Sequence, residues 1–240
     1  MEKQQKIVSM FNNIASTYDI ANRVLSFGVD KNWRKKGAEI AFSIYDRDKV
    51  ELIVDVACGT GDMMDFWENV ARRKDVSISH VVGIDPSTEM VKVGQKKFPQ
   101  FEFKIASATE MGINRESADI ISISYGIRNV VEREKAFEEF YANLKSGGLL
   151  VILEFTKDKK NSFATKMRDF YMNTVLPKVG GMISGDKEAY QYLPDSITDF
   201  VDSEQMVSEL QKVGFEVLEN RSFSMGISSL FIARKGETDV

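Results

Sequence analysis

Four short runs decide what this chain can fold into: "ELIVDVA" (Glu51–Ala57), "SHVVGID" (Ser79–Asp85), "DIISISYG" (Asp119–Gly126) and "GGLLVILEF" (Gly147–Phe155). Each is β-branched and nearly continuous in apolar residues, the pattern of a strand covered on both faces. "FEFKIA" (Phe101–Ala106) is a fifth candidate. Between them stand longer segments with helical spacing, "GDMMDFWENVARR", "STEMVKVGQKKF" and "EREKAFEEFYANLKS". In the last, Ala136, Phe137, Phe140, Tyr141 and Leu144 recur at three and four residues, which lines one face of a helix. The alternation predicts a parallel sheet with crossover helices. Asp85, Pro86 and Ser87 read as a strand end, a first-turn proline and a helix start, and "SGG" predicts the close of the later helix.

The flanks read differently. The first fifty residues carry amphipathic helical spacing, and the stretch after Phe155, "NSFATKMRDFYMNTVLPKVGGMISGDKEAYQYLPDS", is aromatic, Met-rich and helical. A helix at "DSEQMVSELQKVG" then leads into "FEVLENRSF" and "GISSLFIARK", two strands predicted to form an antiparallel hairpin that closes the sheet.

With 240 residues and 43% hydrophobic content, the chain can bury a sizeable core. A net charge of -4 argues against a general nucleic-acid binder, and "NWRKKG" and "ARRK" read as solvated helix faces. Cys58 is the single cysteine and His80 the single histidine, so inventory speaks against a disulfide framework, a His/Cys metal site and Ser-His-Asp chemistry. There is no run of eighteen apolar residues and no secretory apolar core at the N-terminus, so the expectation is a soluble, cytoplasmic protein.

"VDVACGTGDMM" (Val54–Met64) joins the first strand to a helix. Gly59 and Gly61 remove side chains where a ligand must lie against backbone, and the helix N-terminus points at the same crevice. A strict G-x-G-x-x-G would place glycine at Met64, so the loop suits an adenosyl ligand without phosphates better than a dinucleotide. Asp55 and Asp62 flank it, and an acid there attracts a cation and repels phosphate. Asp85, at the end of the next strand, stands where a carboxylate can accept both hydrogen bonds of a ribose diol.

These residues resemble the S-adenosylmethionine-dependent C-methyltransferases of ubiquinone and menaquinone biosynthesis. The resemblance is carried by "FNNIASTYDIANRVLSFGVDKNW" (Phe11–Trp33), "DVACGTGD", "SISYGIRNV" (Ser122–Val130), "LKSGGLLVILEF" and "YQYLPDSI" (Tyr190–Ile197), in the family's order across nearly the whole chain. It implies a Rossmann-like class I methyltransferase: a mostly parallel seven-stranded sheet with a C-terminal antiparallel hairpin. One domain would span 1–240, with a helical lid over 1–50 and a cofactor-binding half over 51–156. A helical insertion on the substrate side (157–200) and a closing helix and hairpin (201–240) would complete it.

The resemblance further implies that Asp55, Gly59, Thr60 and Gly61 hold the methionine and sulfonium side of S-adenosylmethionine. Asp85 would hold the ribose, Ser107 and Ala108 the adenine, and Ser124 would make another cofactor contact. No metal is implied. Ser107 stands where the family usually has Asn or Asp, and Ala21 and Asp30 stand where it usually has Met and His, so a proton role for that histidine does not transfer.

The implied substrate is a polyprenyl quinol methylated on a ring carbon, demethylmenaquinol or 2-methoxy-6-polyprenyl-1,4-benzoquinol, with S-adenosylhomocysteine as product. The protein's task would be in-line alignment and support of phenolate character. Candidate groups are Tyr18 and Asp19 in the lid, Arg128 and Asn129 beyond the fourth strand, and Tyr190 and Tyr192 in the insertion. Arg128 leads, because its fixed fork beyond a strand's carboxyl end can bind an oxyanion; the alternative is a surface ion pair with Glu132 or Glu134. Phe11, Tyr18, Phe27 and Trp33, with Phe163, Met167, Phe170, Tyr171 and Met172, form aromatic and Met-rich faces for packing or for a prenyl channel. A bilayer substrate implies peripheral contact at the inner face of a membrane, and a homodimer stays open. Competing readings are a class I methyltransferase for another small phenol or lipid, a nicotinamide oxidoreductase, and a non-catalytic adenosyl-binding module.

Overall fold

The β-branched runs pair into one seven-stranded sheet in the order β3-β2-β1-β4-β5-β7-β6. The computed structural model describes residues 2–157 and 187–236, without the side chains of 187–190, 193 and 225. Three helices come first, α1 (Glu2–Ile14), α2 (Tyr18–Ser26) and α3 (Val29–Tyr45). Then β1 (Lys49–Val56), α4 (Asp62–Arg73), β2 (Ser77–Ile84), α5 (Thr88–Lys97) and β3 (Glu102–Lys104) form the first half. The second half holds β4 (Ala118–Ser124), α6 (Arg133–Asn143), β5 (Leu144–Glu154), α7 (Lys187–Thr198), α8 (Ser203–Val213), β6 (Phe215–Phe223) and β7 (Ser228–Lys235).

β1 to β5 run parallel, and β7 pairs antiparallel with both β5 and β6. The expected sheet and closing hairpin are what form. Adjacent residues along each central strand serve opposite faces, as a pleat of period two requires. Val54, Ile121, Ile123, Leu150, Ile152 and Phe231 pack with Phe137 and Phe140 of α6 and with Met206 and Leu210 of α8. Ile53, Ile120, Leu149, Val151, Leu230 and Ile232 pack with Phe42 of α3 and Trp67 of α4.

Two expectations need correction. "SGG" does not cap α6, which stops at Asn143; Ser146, Gly147 and Gly148 lie inside β5, where the register against β4 jumps from Ala118/Leu144 to Ile120/Leu149. Gly147, at φ 73, supplies the left-handed residue this irregularity needs. The fifth run makes only the three-residue edge strand Glu102–Lys104. Phe163, Met167, Phe170, Tyr171, Met172 and the side chain of Tyr190 lie outside the described residues.

Candidate active site

β1 hydrogen-bonds β2 on one side and β4 on the other, so the chain reverses its direction of progress across the sheet at β1, and the crevice lies beyond the carboxyl ends of β1 and β4. The loop after β1 turns through left-handed backbone at Ala57 (φ 50), Gly59 (φ 56) and Gly61 (φ 87), the last being the N-cap of α4. At Gly59 an added Cβ would meet nothing within 4 Å, so this turn faces open space. The close approach that a third loop glycine would permit is made from the opposite partner. A Cβ on Gly83 of β2 would stand 2.6 Å from Met64 Sδ and 2.8 Å from Cys58 Sγ, so the strand carries the glycine and the helix keeps its methionine.

Asp85 organises the floor of the crevice. Its Oδ2 accepts from the Gly59 N–H at 2.9 Å and its Oδ1 from the Ser87 N–H at 2.8 Å, and each oxygen keeps acceptor capacity for a diol. Burial raises its pKa to about 6, against the pull of the Ser87 and Gly59 bonds. Asp55 is more deeply enclosed. It accepts from Ser122 Oγ at 2.6 Å, and Ser122 Oγ in turn accepts from Trp67 Nε1 at 2.9 Å. Burial lifts Asp55 to about 7, and a cation entering the loop would lower both carboxyls.

A cavity of about 320 Å³ opens over this floor. Gly59, Asp85, Ser107, Ala108 and Ser124 line it from the sheet side, and Tyr18 at the start of α2 and Asn129 complete that lining. Ile7, Val8 and Phe11 of α1 and Val130 and Val131 add an apolar wall. Among the described residues the lining contains two carboxylates, Asp85 and Glu132, and no lysine, arginine or histidine. Such a lining favours a sulfonium cation over a pyrophosphate, which would ask for cationic partners. His80 is exposed on β2, away from this lining.

Asp55, Thr60, Gly61 and Arg128 do not line the cavity. Thr60 instead donates its hydroxyl to Asp19 Oδ1 at 2.6 Å. Arg128 pairs with neither Glu132 nor Glu134. Its Nη1 engages Glu154 Oε1 and the Tyr125 carbonyl (3.2 Å), and its Nε donates to Ser196 Oγ at 3.2 Å. Glu154 is fully buried at the end of β5 and Arg128 is nearly so. The leading sequence candidate is therefore half of an internal ion pair. Burial raises Glu154, although Arg128 and the Phe155 N–H act in the opposite direction.

Asn129 reaches the cavity itself. Its Oδ1 accepts from the Tyr192 hydroxyl at 3.0 Å and its Nδ2 donates to the Tyr125 carbonyl at 3.4 Å. Tyr125, which sequence reasoning missed, lines the cavity in a left-handed conformation (φ 60), held by its N–H on Leu153 O at 2.6 Å and its hydroxyl against Ser228 Oγ at 3.1 Å. A non-glycine residue with positive φ at a crevice is a strained position maintained by its surroundings.

Helix α1 crosses the crevice and is fastened on both banks. Gln4 donates to the Asn129 carbonyl at 3.2 Å and accepts from the Val131 N–H at 3.0 Å. Asn12 Oδ1 accepts from Ser87 Oγ (2.8 Å) and the Glu89 N–H (3.1 Å) at the start of α5. Below it, Arg23 joins Asp30 to Asp62, Arg34 joins Asp30, and Lys97 holds Asp19 and Asp62 at 2.6 Å each. Asp30 thus completes a partly buried charge network. Burial alone would raise Asp62; Lys97, Arg34 and Arg23 outweigh it and hold that carboxyl low.

A family model described as the ubiE/COQ5 methyltransferase family matches residues 1–235. Among curated relatives, the ubiquinone/menaquinone biosynthesis C-methyltransferase UbiE of Campylobacter jejuni subsp. jejuni (strain 81116) is 51% identical over 235 residues, 98% of this chain and 100% of the relative. The demethylmenaquinone methyltransferase of Thermotoga maritima is 34% identical over 223 residues, 93% of each chain. Among solved structures, a SAM-dependent methyltransferase of Thermotoga maritima superposes with a TM-score of 0.59 at 17% identity, covering 95% of this chain and 99% of that one, a likeness of fold.

Proposed function

This chain belongs to the ubiE/COQ5 methyltransferase family, and from that membership we propose that it transfers a methyl group from S-adenosylmethionine to a ring carbon of a polyprenyl quinol. The substrate is demethylmenaquinol, 2-methoxy-6-polyprenyl-1,4-benzoquinol, or both, in keeping with relatives named for ubiquinone/menaquinone biosynthesis and for demethylmenaquinone methylation. S-adenosylmethionine, when bound, supplies a methyl carbon already activated by its positive sulfur. The observation that carries the reading is the acidic cavity over Gly59 and Asp85, walled by apolar side chains of α1, in a chain matched to this family over 1–235.

In this reading Asp85 accepts from the ribose diol, Gly59 and Ser124 lie against the ligand, and Ser107 and Ala108 border the adenine. Asp55, Thr60 and Gly61 act one layer back: Asp55 through Ser122, Thr60 through Asp19, and Gly61 by starting α4. Tyr18 and Asn129 face the quinol, with Asn129 oriented by Tyr192. Arg128 is a positioning residue that fixes the Tyr125 carbonyl and the Asn129 turn through Glu154. Peripheral contact with the inner face of a membrane and a homodimer belong to the same reading. Chromatography of quinones from cells lacking this chain tests it: a demethylated precursor should accumulate, and an unchanged quinone profile would refute the assignment.

A further inference from the structure

Resting on the polyprenyl quinol reading for its choice of partner, we infer that the outer face of α2 and the α2–α3 turn dock this chain on an anionic lipid bilayer. The inner face of α2 is accounted for: Ala21 and Leu25 are buried against Ile14, Ala15 and Met90. Its outer face should then be polar. Instead Ile20 is 62% exposed, Val24 46%, Phe27 81% and Val29 37%. Among the described residues only Ile105 and Val131 are other large hydrophobics so exposed, so the apolar surface is concentrated within residues 20–29. Residues 20 and 24 are four apart, which places them on one side of α2, and Phe27 follows as its left-handed C-cap. A contiguous exposed apolar face marks an interaction surface.

Its rim is cationic. Lys31 is exposed, and Lys35 and Lys36 follow within the next two turns of α3 with side chains 43% and 62% exposed. Glu39 sits only loosely beside the latter two, at 3.7 and 3.9 Å. The nearby carboxylates Asp19 and Asp30 are already engaged by Lys97 and by Arg23 and Arg34. The chain as a whole carries -4, so an acidic bilayer would engage it only through a locally basic surface such as this rim. Apolar insertion and a basic patch are the two signals that stable surface binding requires. The same helix begins with Tyr18, which lines the cavity, so the docked face adjoins the site where a lipid-borne quinol must arrive.

Vesicle flotation of the full chain tests this, using phosphatidylcholine alone and mixed with phosphatidylglycerol. The chain should float with the anionic vesicles only and detach at high salt. Ile20→Ser with Val24→Ser should abolish flotation, and Lys31→Gln and Lys35→Gln should each lower partitioning about five-fold. Thermal melting confirms that the variants are folded, and the lysine changes keep the test decisive if the double serine variant is not. All should methylate a water-soluble short-chain quinol analogue at the parent rate. Failure of the parent chain to methylate that analogue would count against the substrate reading and leave flotation to judge the surface. Absence of flotation by the parent, or equal flotation by the variants, would overturn the docking face. So would loss of self-association in sedimentation with flotation intact, which would assign the face to a second copy.

Discussion

Asp85 and Asp55 carry raised pKa values for one reason, burial, yet they lead to opposite experiments. Asp85 borders the cavity and its pKa is raised to about 6, and in the proposed reading a ribose diol would donate to its ionised form. Affinity for S-adenosylhomocysteine should therefore be flat above that pH and fall about tenfold per unit below it. Calorimetric titration across pH 5–8 checks this, with Asp85→Asn binding weakly at every pH. Asp55 titrates near 7 when folded, whereas an unfolded aspartate titrates near ~3.9. Between those values the folded chain holds a proton that the unfolded chain has released, so stability falls as pH rises through that window. Asp55→Asn keeps an acceptor for Ser122 and should gain about 2 kcal/mol at pH 8 and little at pH 4, read from denaturant melts. Arg128→Ala strands the buried Glu154 carboxylate and should cost about 3–5 kcal/mol of stability. Arg128→Met with Glu154→Gln should recover most of that stability and still lower kcat more than it raises KM. At this scale the left-handed turn at Gly59 and Gly61 and the place of Asp85 at a strand end were legible, because both are local to one loop and one strand. Glu154 was not, since it stands 26 residues from Arg128 and meets it only after β4 and β5 pair.

Among the elements, α1 shows how a helix outside the sheet becomes part of the site. Its amphipathic spacing was legible as a helix, but Gln4 and Asn12 read as ordinary polar positions until the crevice they span exists. Each makes two hydrogen bonds to a different bank. Gln4→Ala and Asn12→Ala should each remove about 1 kcal/mol from the attachment of α1 and raise KM roughly five-fold, with a larger combined effect in the double variant. Steady-state kinetics on a short-chain quinol, with thermal melting as control, reads the change. The central strands were legible because burial on both faces leaves an uninterrupted apolar signature. The three-residue β3 and the glycines inside β5 were not, because edge pairing and bulges depend on the neighbouring strand's register.

For the whole molecule, the order of the strands places the ligand crevice at β1/β4, and the two apolar layers on opposite faces keep both strand ends fixed. The N-terminal helices are joined to that body by the small apolar cluster around Met90 and by the alternating charges from Arg34 to Asp19. Fold class followed from the alternation of runs in the sequence. The network did not, because it joins α2 and α3 to the start of α4 and the end of α5, which meet only in the finished fold. The acidic crevice is proposed to deliver a methyl group to a quinol ring carbon. Incubating the purified chain with S-adenosylmethionine labelled with carbon-13 in its methyl group and a reduced short-chain demethylmenaquinol, then recording carbon-13 spectra of the product, tests it directly. Label is expected in a methyl bonded to a ring carbon; label on a ring oxygen, or none in the quinol, would contradict this proposal.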